Sequence, residues 1–142
     1  MLSVVAGIII PKITGRYSIQ RLALLCPTRG RPDRIREFIG SALTTATHPE
    51  RVEILLWVDD DDSTASDYEK AVDDLKGEFG SSDISLRFGP SVGVPKAANN
   101  LYDDTTADIV MTSNDDQVFI DKGWDDRLDL EIAKYPDGIF CM

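Results

Sequence analysis

Two apolar runs in this chain each end abruptly in aspartates, and no other feature constrains its fold as strongly. Asp108-Ile109-Val110-Met111-Thr112-Ser113 runs into Asn114-Asp115-Asp116-Gln117, and Val52-Glu53-Ile54-Leu55-Leu56-Trp57-Val58 runs into Asp59 to Asp62. Short, near-continuous apolar runs of this kind read as buried strands. Ligands of an open α/β sheet bind outside the carboxyl ends of its strands. Two strands finishing in carboxylates therefore predict one shared site, where a divalent cation and a phosphate-bearing ligand meet them.

The intervening segments supply helices. Arg21 to Cys26 is a short β-type run, and Pro27-Thr28-Arg29-Gly30-Arg31-Pro32 is a turn-rich loop whose last proline suits the first position of a helix. Ile35, Phe38, Ile39, Ala42, Leu43 and Ala46 then recur at three and four, one apolar stripe that His48-Pro49 ends. Ser66-Asp67-Tyr68-Glu69 has the form of a capping box, followed by the stripe Tyr68, Ala71, Val72, Leu75 and Phe79. Ile84 to Phe88 alternates like a half-buried or edge strand, and Gly89 to Gly93 is a loop. Pro95 opens a third helix that buries Ala97, Ala98, Leu101 and Tyr102; Trp124 to Tyr135 has a weaker helical pattern. This order predicts a three-layer α/β domain, its sheet mostly parallel with helices on both faces in the Rossmann-like manner.

A chain of 142 residues with 42% apolar content can form one core without disulfide or metal staples. The net charge of −10 excludes a nucleic-acid surface, which needs clustered Lys and Arg. Cys26 and Cys141 form neither a disulfide framework nor a zinc pattern, so a reducing cytoplasm is the simpler location. The run Leu2 to Ile10 is closed by Pro11 and Lys12 well short of the about 20 residues of a bilayer span. Residues 1–20 are read as an N-terminal arm, an extra strand or a misassigned start, with a membrane-active segment as the alternative. Residues 21–142 form the main domain. Gly138-Ile139-Phe140-Cys141-Met142 looks like a new strand that stops as it begins, so the domain is expected to be truncated at its C-terminus.

Leu24 to Pro32, Trp57 to Asp62, Gly89-Pro90 with Asn99 beyond it, Asn114-Asp115-Asp116 and Gly123-Trp124-Asp125 carry a resemblance in this order. From about Ala23 to Asp126 the chain resembles glycosyltransferases of the family 2 type, with the GT-A fold. The resemblance implies a nucleotide diphosphate sugar donor, Mn²⁺ or Mg²⁺ held through a DxD-like motif, and transfer of the sugar to a glycan, protein or lipid acceptor.

It also implies residue roles. Asp116 is the first choice as metal ligand, with Asp115 on the metal, its bound water or the ribose. Asp59 and Asp60 fall where the family binds base or ribose. Pro27, Thr28 and Arg31 lie in the loop that wraps the nucleobase side, and Arg29 or Arg31 matches the diphosphate bidentately. Lys96 and Asn99, or Asn100, begin the third helix facing the same crevice. Trp124 is core or a wall of the sugar site. The general base that an inverting enzyme needs is expected on an acceptor-binding half beyond Met142; if it lies within the chain, Asp125 or Asp126 is the place to look. Other readings stay open. Asp115 and Asp116 can solvate a loop, and Asp61 and Asp62 can complement a helix N-terminus. A non-catalytic nucleotide-binding or interaction domain fits the same scaffold, and a receiver-like phosphoacceptor domain would need a lysine after a later strand, a role for which Lys122 is poorly placed. No frame through Asp59 to Asp62 satisfies an EF-hand.

Overall fold

The structure is a computed structural model and describes residues 8–11, 20–80, 83–135, 137 and 140–141, the first and last of these segments as backbone only. In chain order the elements are β1 (Ile8–Pro11), β2 (Leu22–Thr28), α1 (Pro32–Thr45), a 3₁₀ turn (Pro49–Arg51), β3 (Val52–Asp59), α2 (Ala65–Glu78), β4 (Asp83–Gly89), α3 (Val94–Asp104), β5 (Ile109–Thr112), α4 (Trp124–Ile132) and β6 (Phe140–Cys141). They form one sheet of order β4-β3-β2-β5-β1-β6. The strands β4, β3, β2 and β5 run parallel; β1 is antiparallel to both β5 and β6.

Strand alternation sends successive side chains to opposite faces, and each face has its own helices. Leu24, Cys26, Ile54, Leu56 and Val58 face one side with Ile35, Phe38 and Ile39 of α1, Tyr68 and Val72 of α2, and Leu128 and Ile132 of α4. Ala23, Leu25, Leu55, Trp57 and Val110 face the other, under Ala97, Leu101 and Tyr102 of α3. The expected three-layer α/β architecture is therefore observed. Each buried Leu, Ile or Val among these contributes about 1.5–3 kcal/mol by leaving water, so the core rests on both layers.

Several boundaries move, for identifiable reasons. The helix α1 stops at Thr45 rather than at His48-Pro49 because the Gly123 N–H donates to the Thr45 carbonyl at 2.7 Å, satisfying an end group from outside the helix. The capping box at Ser66 does not form: α2 starts at Ala65 with Thr64 as its cap and no side-chain cap bond. Asp62 takes the role of organiser instead, accepting from the Thr64 N–H at 2.8 Å and from its hydroxyl at 2.7 Å, which begins the turn earlier. The helix α4 ends at Ile132, three residues before the predicted Tyr135. Of the N-terminal arm, residues 1–7 and 12–19 lie outside the described residues, and Ile8–Pro11 pairs with β5; at the other end Gly138, Ile139 and Met142 lie outside them too.

Candidate functional site

The chain passes from β2 outward to β3 on one side, then returns to lay β5 on the other, so the carboxyl ends of β2 and β5 form the sheet's topological switch point. Crevices for ligands open at such points. Here the opening has a local cause. Pairing of β2 with β5 stops at Leu25↔Thr112, whereas β2 stays paired with β3 as far as Thr28↔Val58. Ser113 N–H donates to the Leu25 carbonyl at 2.7 Å. Two residues on, Pro27 faces the same side, where β5 has ended, and proline has no N–H to leave unpaired there.

The resulting cleft has a volume of about 380 Å³. Pro27, Thr28, Arg29, Arg31, Asp59, Asp115 and Asp116 line it, all residues that the sequence points to; Trp57, Asn114 and the Ser91–Ala97 turn into α3 complete it. Asp60, Lys96 and Asn99 are not among its lining. Asp60 is exposed, its N–H fixed to the Gly89 carbonyl at 2.7 Å, and Lys96 is exposed on α3. Asn99 is half-buried with Oδ1 unpartnered, while α3 turns Val94 and Ala97 toward the cleft.

The acids of the cleft differ sharply in their surroundings. Asp115 is only 8% exposed. Its Oδ2 accepts from the Thr28 hydroxyl at 2.7 Å, and its Oδ1 lies 3.2 Å from Arg31 Nη1. Asp116 is exposed and has no hydrogen bond or ion pair among the described residues. Asp59 pairs with Arg29 at 2.8 Å, and the same guanidinium reaches Asp61. That guanidinium, by hydrogen bond first and charge second, holds the Asp61 carboxyl below its usual range. Burial pushes Asp62 up, but donors from Thr64 and Gly30 outweigh it and hold the carboxyl low. The Gly30 N–H bond to Asp62, 2.7 Å, ties the loop after β2 to the loop after β3. Burial, reinforced by the charges of Asp115 and Asp116, pushes the Cys26 thiol far up and leaves it inert.

Oxygen ligands suit Mg²⁺ and Mn²⁺, and Mg²⁺ takes one or two protein carboxylates with phosphate and water completing its shell. Among the described residues no cluster of three or more His, Cys, Asp or Glu is placed to hold a metal alone. The exposed, unpartnered Asp116 beside Asp115 fits that sparse mode of binding. No helix among them is long and apolar enough to cross a membrane.

Some predicted roles fall elsewhere. Asp125 is fully buried, accepting from Thr47 N–H at 2.8 Å, His48 N–H at 3.0 Å and Arg51 Nε at 3.4 Å. A carboxylate so enclosed is structural and cannot serve as the base sought there. Asp126 lies 3.8 Å from His48, outside the cleft. Trp124 donates Nε1 to the Ala42 carbonyl at 3.0 Å and meets the Phe119 ring at a tilt of 46°, so it is a partly buried residue packed against the core on the α1 face and does not line the cleft. Lys122, which the receiver-like alternative requires, does not line the cleft.

Two contributors escaped the sequence reading. Tyr68, counted as part of an apolar stripe, is fully buried, yet its hydroxyl lies 2.8 Å from Thr28 Oγ1 and 2.8 Å from the Arg31 N–H. The only available signal was a tyrosine in an otherwise aliphatic stripe, because its hydroxyl must find a partner. Trp57, next to last in the apolar run of β3, packs its indole close against Gly89, with the Arg87 guanidinium 5.0 Å from its ring centroid. A Cβ at Gly89 would meet the indole at 2.2 and 2.4 Å. The Gly89→Ala change is therefore expected to lower stability by about 1–3 kcal/mol, the usual cost of overpacking. Urea unfolding reads this directly, and an unchanged midpoint would show that Trp57 moves freely.

No family model and no curated protein matches the chain. Solved structures do. One is the mannosyltransferase PcManGT from Pyrobaculum calidifontis in complex with GDP-Man and Mn²⁺, similar at TM-score 0.61 and 16% identity over 72% of this chain and 29% of that one. Another is TarS 1-349 of S. aureus in complex with UDP, at TM-score 0.64 and 15% identity over 80% of this chain and 32% of that one. The chain thus spans less than a third of the length of either protein. At such identities the likeness is one of fold, and the fold of this chain is glycosyltransferase-like.

Proposed function

We propose that the cleft is the donor site of a glycosyltransferase, binding a nucleotide diphosphate sugar through a divalent cation for transfer to a glycan, protein or lipid acceptor. The observation that carries this reading is the pairing of an exposed, unpartnered Asp116 with a clamped Asp115 at the switch point, opposite Asp59 and two arginines. Asp116 and Asp115 would hold the ion, which neutralises the charge that develops on a leaving diphosphate. Asp59 suits the nucleoside, and Arg29 and Arg31 the phosphate oxygens, while the buried Thr28 hydroxyl is committed to Asp115. Arg29 is about half exposed in its pair with Asp59; such surface pairs hold by only about 0–1 kcal/mol, so a ligand can open it. Similarity to proteins crystallised with GDP-Man and Mn²⁺ or with UDP supports the choice of ligand.

Calorimetry with UDP, dTDP and GDP in the presence of Mn²⁺ or Mg²⁺ tests the reading. Binding that is tighter with the ion than without it is expected, and equal affinity in EDTA would remove the metal from the scheme. Asp59→Ala is expected to weaken nucleotide binding even without metal, by about 1.5–3 kcal/mol for one charged hydrogen bond; a larger loss in Asp61→Ala would move the nucleoside contact to that residue. A second reading, a nucleotide-binding or interaction domain that does not turn over, fits the same scaffold, because a fold does not fix an activity. Donor hydrolysis measured with and without Mn²⁺ separates the two.

A further inference from the structure

We infer that Tyr68 is a positioning residue of this cleft, fixing Asp115 through Thr28 so that the carboxylate is held ready for a metal-diphosphate ligand; the inference rests on the donor-site reading above. Hydrogen-bonding capacity sets the direction of the contacts. A carboxylate only accepts, so Thr28 gives its single hydroxyl proton to Asp115 Oδ2. Its bond with Tyr68 must then be one that Thr28 accepts, and Tyr68 is the donor. The Tyr68 oxygen in turn accepts the Arg31 N–H. Arg31 closes the circuit, since its guanidinium reaches the other oxygen of Asp115. The ring runs from the Arg31 backbone through Tyr68, Thr28 and Asp115 to the Arg31 side chain, and each member has its partner. Tyr68, Thr28 and Asp115 are buried whereas the Arg31 side chain is 59% exposed, so the buried part of the ring is the rigid part. Packing alone does not require the hydroxyl, because phenylalanine would fill the same place in the α2 stripe. Burial pushes the Tyr68 phenol up, so it keeps the proton that it donates.

The test is the affinity of UDP and GDP in Mn²⁺, measured alongside thermal unfolding at a temperature where every variant is folded. Tyr68→Phe is expected to bind about 10-fold more weakly or worse, in the range typical of outer-shell partners at metal sites. Thr28→Val should lose at least as much, and Thr28→Ser, which keeps the hydroxyl, should stay within about threefold of the parent, since only a methyl group is lost. A Tyr68→Phe protein that melts earlier but binds like the parent would overturn the inference, as would a Thr28→Ser protein as weak as Thr28→Val. Should Tyr68→Phe not fold, equal binding by Thr28→Val and Thr28→Ser overturns the inference, since the ring passes through that hydroxyl. Absence of binding by the parent chain would overturn the donor-site reading and this role with it, whereas normal binding by Tyr68→Phe sinks the ring alone.

Discussion

Replacing Asp125 by alanine is expected to destabilise the fold by about 3–5 kcal/mol, the usual result of removing one partner of a buried ion pair. The residue is fully buried, and Arg51 beside it is only 3% exposed. Without the carboxylate, the Thr47 and His48 N–H groups lose their acceptor, and Arg51 keeps Asp129, 2.9 Å away, as its remaining carboxylate. The pH dependence has a definite sign. Burial pushes the Asp125 carboxyl up, but the two N–H donors and the Arg51 charge outweigh it, and the net shift is downward. A carboxyl lowered on folding stabilises fully above its unfolded value of about 3.9 and loses that contribution as pH falls through the folded value. Urea unfolding should therefore show a large gap between parent and variant at neutral pH that narrows below about pH 4. A gap under about 1 kcal/mol at pH 7 would mean that the pair is replaceable by water.

Asp116→Ala is expected to weaken metal-dependent diphosphate binding by about 10 to 100-fold, the range for lost support at a metal site, while leaving the melting temperature unchanged. The two halves of that result come from one fact: Asp116 is exposed and has no partner among the described residues, so nothing in the fold depends on it. Asp115→Ala should do both kinds of harm, because Thr28 and Arg31 lose their acceptor. Calorimetry in Mn²⁺ and in EDTA separates the effects. An Asp116→Ala protein that binds like the parent would remove Asp116 from the metal site.

The sheet and its helices were legible because burial imposes period: the stripes at Ile35 to Leu43 and Tyr68 to Leu75 and the apolar runs ending at Asp59 and Asn114 could pack in few other ways. Long-range polar bonds leave no such trace. Nothing near Asp125 in sequence indicates Thr47, His48 and Arg51, some 74 or more residues away. Asp125, the fallback position for a base within the chain, is therefore a structural residue that only the folded contacts reveal. The cleft lies between the two, since the acids at the strand ends could be read, whereas the ring through Tyr68 depends on that residue of α2 meeting Thr28, 40 residues away at the end of β2. Lys96 and Asn99 show the limit of counting residues from a helix start: a rotation of one position decides which side chain meets the cleft, and Val94 and Ala97 do.

The position of β4 at the edge of the sheet has a bearing on solubility. An outer strand offers a row of unpaired backbone groups to any passing chain. Along β4, Asp83, Ser85 and Arg87 are exposed on alternate positions. Asp83 is paired with Arg21, and Arg87 with Asp104 and the Trp57 ring. An intruding strand would have to strip water from these charges and break their pairs, so the ladder that begins at the centre of the sheet is guarded where it ends.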